Sequence, residues 1–220
     1  MKDLQLALQL KVLEDSYAAF ILTYAKTAQK LKVDIFCIGT ELERFIDKRP
    51  AYWVLLIKEI RLIYKGKLTY AANWNEFNKT SFWSHLDFIG IDAYFPVSDS
   101  KTPSLEQCLK GWEPHKKIVK TMSGIYKKPI LFTEFGYRSV DYSGKEPWRS
   151  DRSMNQVNLE AQANTTKALF ETFWREEWFA GGFVWKWFHN HEKAGGEFNS
   201  RFTPQNKPAE IVIKNFFSKT

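Results

Sequence analysis

Two segments end an apolar run with the same dipeptide: Ile38-Gly39-Thr40-Glu41 and Phe132-Thr133-Glu134-Phe135-Gly136. A lone glutamate there is commonly a solvated loop residue or sits in a helix's first turn, where the dipole favours it. A pair can divide labour. One carboxyl, kept protonated, donates to a leaving oxygen; the other, kept ionised, attacks or activates water. Cleavage of a glycosidic bond uses that division. A carboxyl separation of about 5–5.5 Å goes with retention of configuration, and about 6.5–9.5 Å with inversion. Aromatic residues crowd the same places. Asn73-Trp74 follows one apolar run, Tyr94-Phe95-Pro96 another and Trp185-Lys186-Trp187 a third. Flat rings and hydrogen-bonding side chains together match the apolar faces and hydroxyls of sugars. In an extended strand, Trp185 and Trp187 share one side. Trp112 and Trp148 fall near predicted loops, as candidates to line a groove.

Other chemistries find less support. His189 and His191 lack a third partner at ligand spacing, so no metal site is expected. Cys37 and Cys108 form no zinc spacing and no disulfide framework, and Cys37, inside a strand, reads as a small buried hydrophobe. No G-x-S-x-G elbow is present. Asp92, in Gly90-Ile91-Asp92-Ala93-Tyr94, fits either an orienting role at the site or a buried structural one. Asn78-Lys79-Thr80 and Asn164-Thr165-Thr166 match a glycosylation pattern common by chance. The net charge of +7 comes from 32 basic against 25 acidic residues. Its lysines are scattered, with no run of five or six like charges, so a solvated surface is expected and no nucleic-acid partner. No apolar run approaches the roughly 18 residues of a membrane span. The opening Met1-Lys2-Asp3-Leu4-Gln5 is too polar for a signal peptide, and the compartment is left undetermined.

The elements that must position these residues alternate. Strands are predicted at Asp34–Gly39, Lys67–Ala72, Phe88–Ala93, Pro129–Thr133 and Gly182–Lys186, short and nearly continuous in apolar residues. Helical stripes lie between them. The first, Tyr17-Ile21-Tyr24-Ala25-Ala28, is capped by Asp15 or Ser16. The second has Trp53, Ile57, Ile60 and Tyr64, opened by Pro50 and closed by Gly66. The third has Ile118, Val119, Met122 and Tyr126 after Pro114, and the fourth runs through Ala161, Ala168, Leu169 and Phe173. This alternation implies an α/β fold with a helix-covered parallel sheet. An open doubly wound sheet would carry a glycine-rich phosphate loop, and none is present. Polar and aromatic residues at successive strand ends suit a TIM (β/α)8-type barrel. Five strands stand where closure needs eight.

With 44% apolar and 16% aromatic residues, nine of them Trp, the chain reads as one globular domain over residues 1–220. An atypical segment, 1–16, precedes a family-like region, 17–217. That region resembles glycoside hydrolase family 113, bacterial β-mannanases of a large retaining clan of TIM-barrel glycosidases. The resemblance is carried by Phe36–Glu41, Leu68–Trp74, Leu86–Phe95, Lys128–Tyr137, Trp178–Trp187 and the tail Phe202–Ala209.

The resemblance implies that Glu41 is the acid/base after the fourth barrel strand and Glu134 the nucleophile after the seventh. It implies that Tyr94 hydrogen-bonds the nucleophile, that Trp185 lies under the sugar at the cleavage point, and that Asn73 and Trp74 line the fifth-strand side. Trp187 joins the substrate-binding set. Thr40 stands where many relatives carry Asn. The expected activity is retaining hydrolysis of β-linked mannan or mannooligosaccharides, with no metal or organic cofactor. The alternative is an inactive carbohydrate-binding remnant, or a fragment of a longer glycosidase. Strands one to three of the barrel have no counterpart, so a second copy or a partner chain is expected over the open edges.

Overall fold

The computed structural model describes residues 2–150 and 156–218. Helix α1 (Lys2–Leu31) leads into β1 (Ile35–Thr40), α2 (Glu43–Lys48), α3 (Pro50–Ile63), β2 (Lys67–Asn73) and β3 (Ile89–Asp92). Then follow α4 (Leu105–Tyr126), β4 (Ile130–Phe135), α5 (Leu159–Phe173), β5 (Phe179–Val184) and α6 (Pro208–Phe217).

The strands form one sheet in the order β1-β2-β3-β4-β5, each parallel to its neighbours. Sequential order decides between the two architectures left open by the alternation. A doubly wound sheet reverses its strand order at a switch point. Here the order never reverses, so right-handed crossovers place every connecting helix on the same face. That is the winding of a (β/α)8 barrel, and the sheet is an incomplete one. Among the described residues β1 pairs only with β2 and β5 only with β4, which leaves two free edges.

The helix-covered face holds the core. Trp53 of α3 is fully buried and packs its ring against Tyr17, Phe45, Tyr70 and Phe82. Across the sheet, Phe132 meets Phe173 and Phe179, and Phe135 meets Phe170 and Trp174. Truncating one such ring to Ala costs about 3–5 kcal/mol, a large share of a domain's stability. The aromatic excess is therefore mostly core. Central β3 is buried along its whole length, whereas edge strands β1 and β5 are half open. Phe183 of β5 remains 58% exposed.

Several local expectations are corrected. The first helix is not capped at Asp15 or Ser16; it runs on from Lys2. Its face of Ile21, Ala25 and Ala28 is buried as expected, while Tyr24 is exposed. Buried Glu14 pairs with Arg49 and takes the Tyr52 hydroxyl on its carbonyl, which ties this helix to α3. Pro114 does not open the third helix but lies inside it. Ser104 and Gln107 form a reciprocal capping box that fixes the start nine residues earlier, at Leu105. Trp112 thus falls mid-helix and is fully buried, not groove-lining, and Ile118 is exposed. The last strand ends at Val184, so Trp185 and Trp187 lie beyond it and strand alternation does not govern them. Cys37 is exposed on the uncovered inner face, because among the described residues no strand lies beyond β1 to enclose it.

Candidate active site

Both strand-end glutamates sit where the ladder is irregular. Between β1 and β2, Cys37 faces Thr69 but Thr40 faces Ala71, three steps against two. Between β3 and β4, Ile91 faces Phe132 while Asp92 faces Glu134, so Thr133 is an extra residue. The consequence at β4 is direct. Strict alternation would put Phe132 and Glu134 on one side, Thr133 and Phe135 on the other. Instead both phenylalanines are buried against the helices, and Thr133 and Glu134 together line the inner face. A bulge re-aims a side chain in this way, and bulges recur beside active sites.

Glu134 accepts a hydrogen bond from the Tyr94 hydroxyl on Oε2 at 2.8 Å. Burial, and then the charge of Glu134, hold the Tyr94 phenol well above its usual range, so it acts as a donor. The Ala93 amide donates to the Glu134 carbonyl at 2.7 Å. Phe202 packs edge-on against Tyr94. Its loop is held by buried Lys207, whose Nζ donates to Ser139 Oγ at 2.9 Å and the Arg201 carbonyl at 3.0 Å. Burial lowers that lysine to about 8.

Glu41 follows β1 in the left-handed region, with φ 51°. A non-glycine residue held there marks a turn the surroundings enforce. The Glu41 amide donates to the Ala71 carbonyl at 2.9 Å, and the Leu42 amide to Tyr70 Oη at 2.6 Å. Tyr17 donates to the Ile38 carbonyl at 2.7 Å. Burial raises the Glu41 carboxyl, and the charge of Glu134 raises it further.

The other nominated residues are placed as follows. Asn73 closes β2, its Oδ1 buried without a partner, and it shares a cleft of about 470 Å³ with Glu41, Glu43 and Glu76. Trp74 packs on Phe95 and stacks on exposed Trp148, with centroids 5.1 Å apart. Trp185 is 39% exposed, and the Lys186 ammonium lies 4.7 Å from its ring centroid. Its amide donates to the Phe135 carbonyl at 2.7 Å. Gly136 permits this approach, since a Cβ there would come within 2.1 Å of the Trp185 carbonyl oxygen. Trp187 is exposed beside His191, which pairs with Glu210. Among the described residues no cluster of His, Cys, Asp or Glu could hold a metal.

Glu134 opens instead onto an inner cleft of about 300 Å³ with Thr40, Asp92, Thr133 and Phe183. A cavity of about 570 Å³ between α5 and α6 holds neither strand-end glutamate. Two acidic neighbours, Glu43 and Glu76, were not singled out from the sequence. Half-buried Glu76 is pushed up to about 7 by partial burial and a hydrogen bond with Glu43, with Glu43 and Glu41 adding their charge. Only its place three residues after Asn73 hinted at this. Asp92 is fully buried and pushed up to about 7 by that burial, with Glu134 and Glu41 adding to it.

Solved structures of two β-mannanases resemble the chain. One is the family 113 β-mannanase AaManA from Alicyclobacillus acidocaldarius in complex with ManMIm. It is 26% identical, with a TM-score of 0.81 over 96% of this chain and 63% of that one. A second family 113 β-1,4-mannanase is 27% identical, with a TM-score of 0.81 over 94% of this chain and 63% of its own. The chain thus spans less than two thirds of either enzyme. A β-glucuronidase from Faecalibacterium prausnitzii shares the fold at 14% identity and a TM-score of 0.66, covering 94% of this chain and 35% of its own. Curated proteins yield no match. The sequence pattern of Glycoside Hydrolase Family 113 extends over residues 11–207, which include every strand and both strand-end glutamates, and the chain belongs to that family.

Proposed function

We propose that this chain hydrolyses β-linked mannan or mannooligosaccharides with retention of configuration. Glu134 attacks the anomeric carbon while Glu41 gives its proton to the departing glycosidic oxygen, leaving a glycosyl ester on Glu134. Glu41, now ionised, takes a proton from water, which displaces Glu134 and restores both groups. Raised by burial and by the charge of Glu134, the Glu41 carboxyl holds its proton more readily than a free one, which suits a proton donor. Tyr94 steadies the attacking carboxylate, and Trp185, just past the end of β5, offers a partly exposed ring. The observation that carries the reading is the Tyr94–Glu134 hydrogen bond at a bulge that turns Glu134 to the inner face, with Glu41 close enough to be raised by its charge. The kinship with β-mannanases supports the substrate class.

The free edges favour a second reading, a carbohydrate-binding chain that retains the rings but does not turn over. Those edges, with Phe183 open beside them, are also where a second copy or a partner chain would pack. The test is hydrolysis of β-1,4-mannooligosaccharides, with mass in solution recorded. Turnover that vanishes in Glu41→Gln and Glu134→Gln supports the hydrolase. Binding without turnover by the folded chain supports the second reading. A monomer would count against a covering copy.

A further inference from the structure

Glu134 does not reach the inner face by ordinary strand geometry; it reaches it because Thr133 is bulged out of register. The bulge has a specific tie. The Thr133 hydroxyl donates to Asp92 Oδ1 at 2.7 Å, and Asp92 is the residue of β3 that faces Glu134 across the ladder. A hydroxyl turned inward onto a neighbouring strand fixes which side the extra residue takes. With Thr133 held as the extra residue of the bulge, Glu134 takes the same inner side, where Tyr94 meets it.

We propose that Asp92 and Thr133 form a clamp that sets the β4 bulge and thereby positions Glu134. The role assigned to Glu134 rests on the function proposed above; the aiming of its side chain rests on the bulge. Asp92 acts as a positioning residue, through Thr133, without touching substrate.

Three observations bear on Asp92. It is fully buried, its Oδ2 has no partner, and the charges around it are acidic: Glu134 from β4 and Glu41 beyond β1. Burial and these charges favour its neutral form. A neutral carboxyl still accepts through Oδ1, so the clamp holds without placing a second anion beside Glu134. Only the acceptor oxygen is needed, and an amide can supply it.

The test uses Thr133→Val, which keeps the branched shape and removes the hydroxyl, with Asp92→Ala, Asp92→Asn and the Thr133→Val/Asp92→Ala double variant. Steady-state kinetics on β-1,4-mannopentaose are read with far-UV circular dichroism on each protein. Thr133→Val and Asp92→Ala should each lower kcat about tenfold or more with KM within about twofold. Asp92→Asn should stay within about threefold of the parent, and the double variant should be no worse than the worse single one. An unchanged kcat in Thr133→Val, or an Asp92→Asn as damaged as Asp92→Ala, overturns the clamp.

Crystal structures of the parent, Thr133→Val and Asp92→Asn decide the matter without activity. The Tyr94–Glu134 contact should survive in Asp92→Asn and be lost in Thr133→Val; its persistence in Thr133→Val overturns the clamp. An inactive parent whose structures follow that pattern would sink the hydrolase and leave the clamp standing.

Discussion

The two strand-end glutamates are held in different ways. Glu134 lies on an inner strand of the sheet, with β3 on one side and β5 on the other. Its backbone and side chain are both engaged, by Ala93, the Thr133 bulge and Tyr94. Glu41 follows edge strand β1, paired on one side only. Its turn is propped from that side and from the helix layer, by Ala71, Tyr70 and Tyr17. An attacking carboxylate must be fixed to a fraction of an ångström, because small misplacements cost large factors in rate. A proton donor needs reach and a suitable pKa, and it can be served by a looser mount. On the proposed roles, the well-fixed glutamate is the nucleophile and the edge glutamate the proton donor.

The largest expected effect tests that division. Glu134→Gln should lower kcat on mannooligosaccharides by about 10⁴-fold or more, whatever the leaving group. Glu41→Gln should cost about 10²–10⁴-fold, the worth of general acid catalysis. With an activated aryl mannoside, which departs without a proton, most of the glycosylation loss from Glu41→Gln should disappear. Equal losses on both substrates would break the assignment.

The next effect is on stability. Asp92 is pushed up to about 7, so the folded state keeps a proton that the unfolded chain gives up near pH 4. Where the folded state binds more protons, stability falls as pH rises. The loss should accrue between about pH 4 and 7. Asp92→Asn removes it, so its advantage over the parent should grow by about 2–4 kcal/mol from pH 4 to pH 8 in urea unfolding. A constant difference across that range would show that Asp92 is ionised in the fold.

Smaller effects separate the two mounts. Tyr94→Phe removes a hydrogen bond to a charged group, worth about 1.5–3 kcal/mol. It should lower kcat/KM on mannooligosaccharides about 10–100-fold with little change in the melting temperature. Tyr70→Phe takes the acceptor from the Leu42 amide and should cost about 1 kcal/mol of stability in urea unfolding. Its activity loss should be smaller than that of Tyr94→Phe. The reverse order would mean that the Glu41 turn is the more demanding of the two.

Much of this was legible in the sequence, and the remainder has physical reasons. The five strands are short apolar runs closed by Gly, Pro or Asn, and all are present within a few residues of their expected bounds. Strand-end position nominated Glu41 and Glu134, and family resemblance nominated Tyr94 as the partner of Glu134. The bulges were not legible, because Phe132-Thr133-Glu134-Phe135 reads equally well as plain strand. Register belongs to the pair of strands, not to either one. The acidic neighbours Glu43 and Glu76 were missed because they meet through the turns after two different strands. Trp112 was misplaced because Pro114 suggested a helix start, while the capping box at Ser104 and Gln107 had already set one.

The central claim, that Glu134 and Glu41 work as a retaining pair, is tested most directly by the anomer formed first. Proton NMR of mannopentaose hydrolysis, recorded before mutarotation, should show the β-anomer at the new reducing end. The α-anomer as first product, or no product from the folded chain, would contradict it.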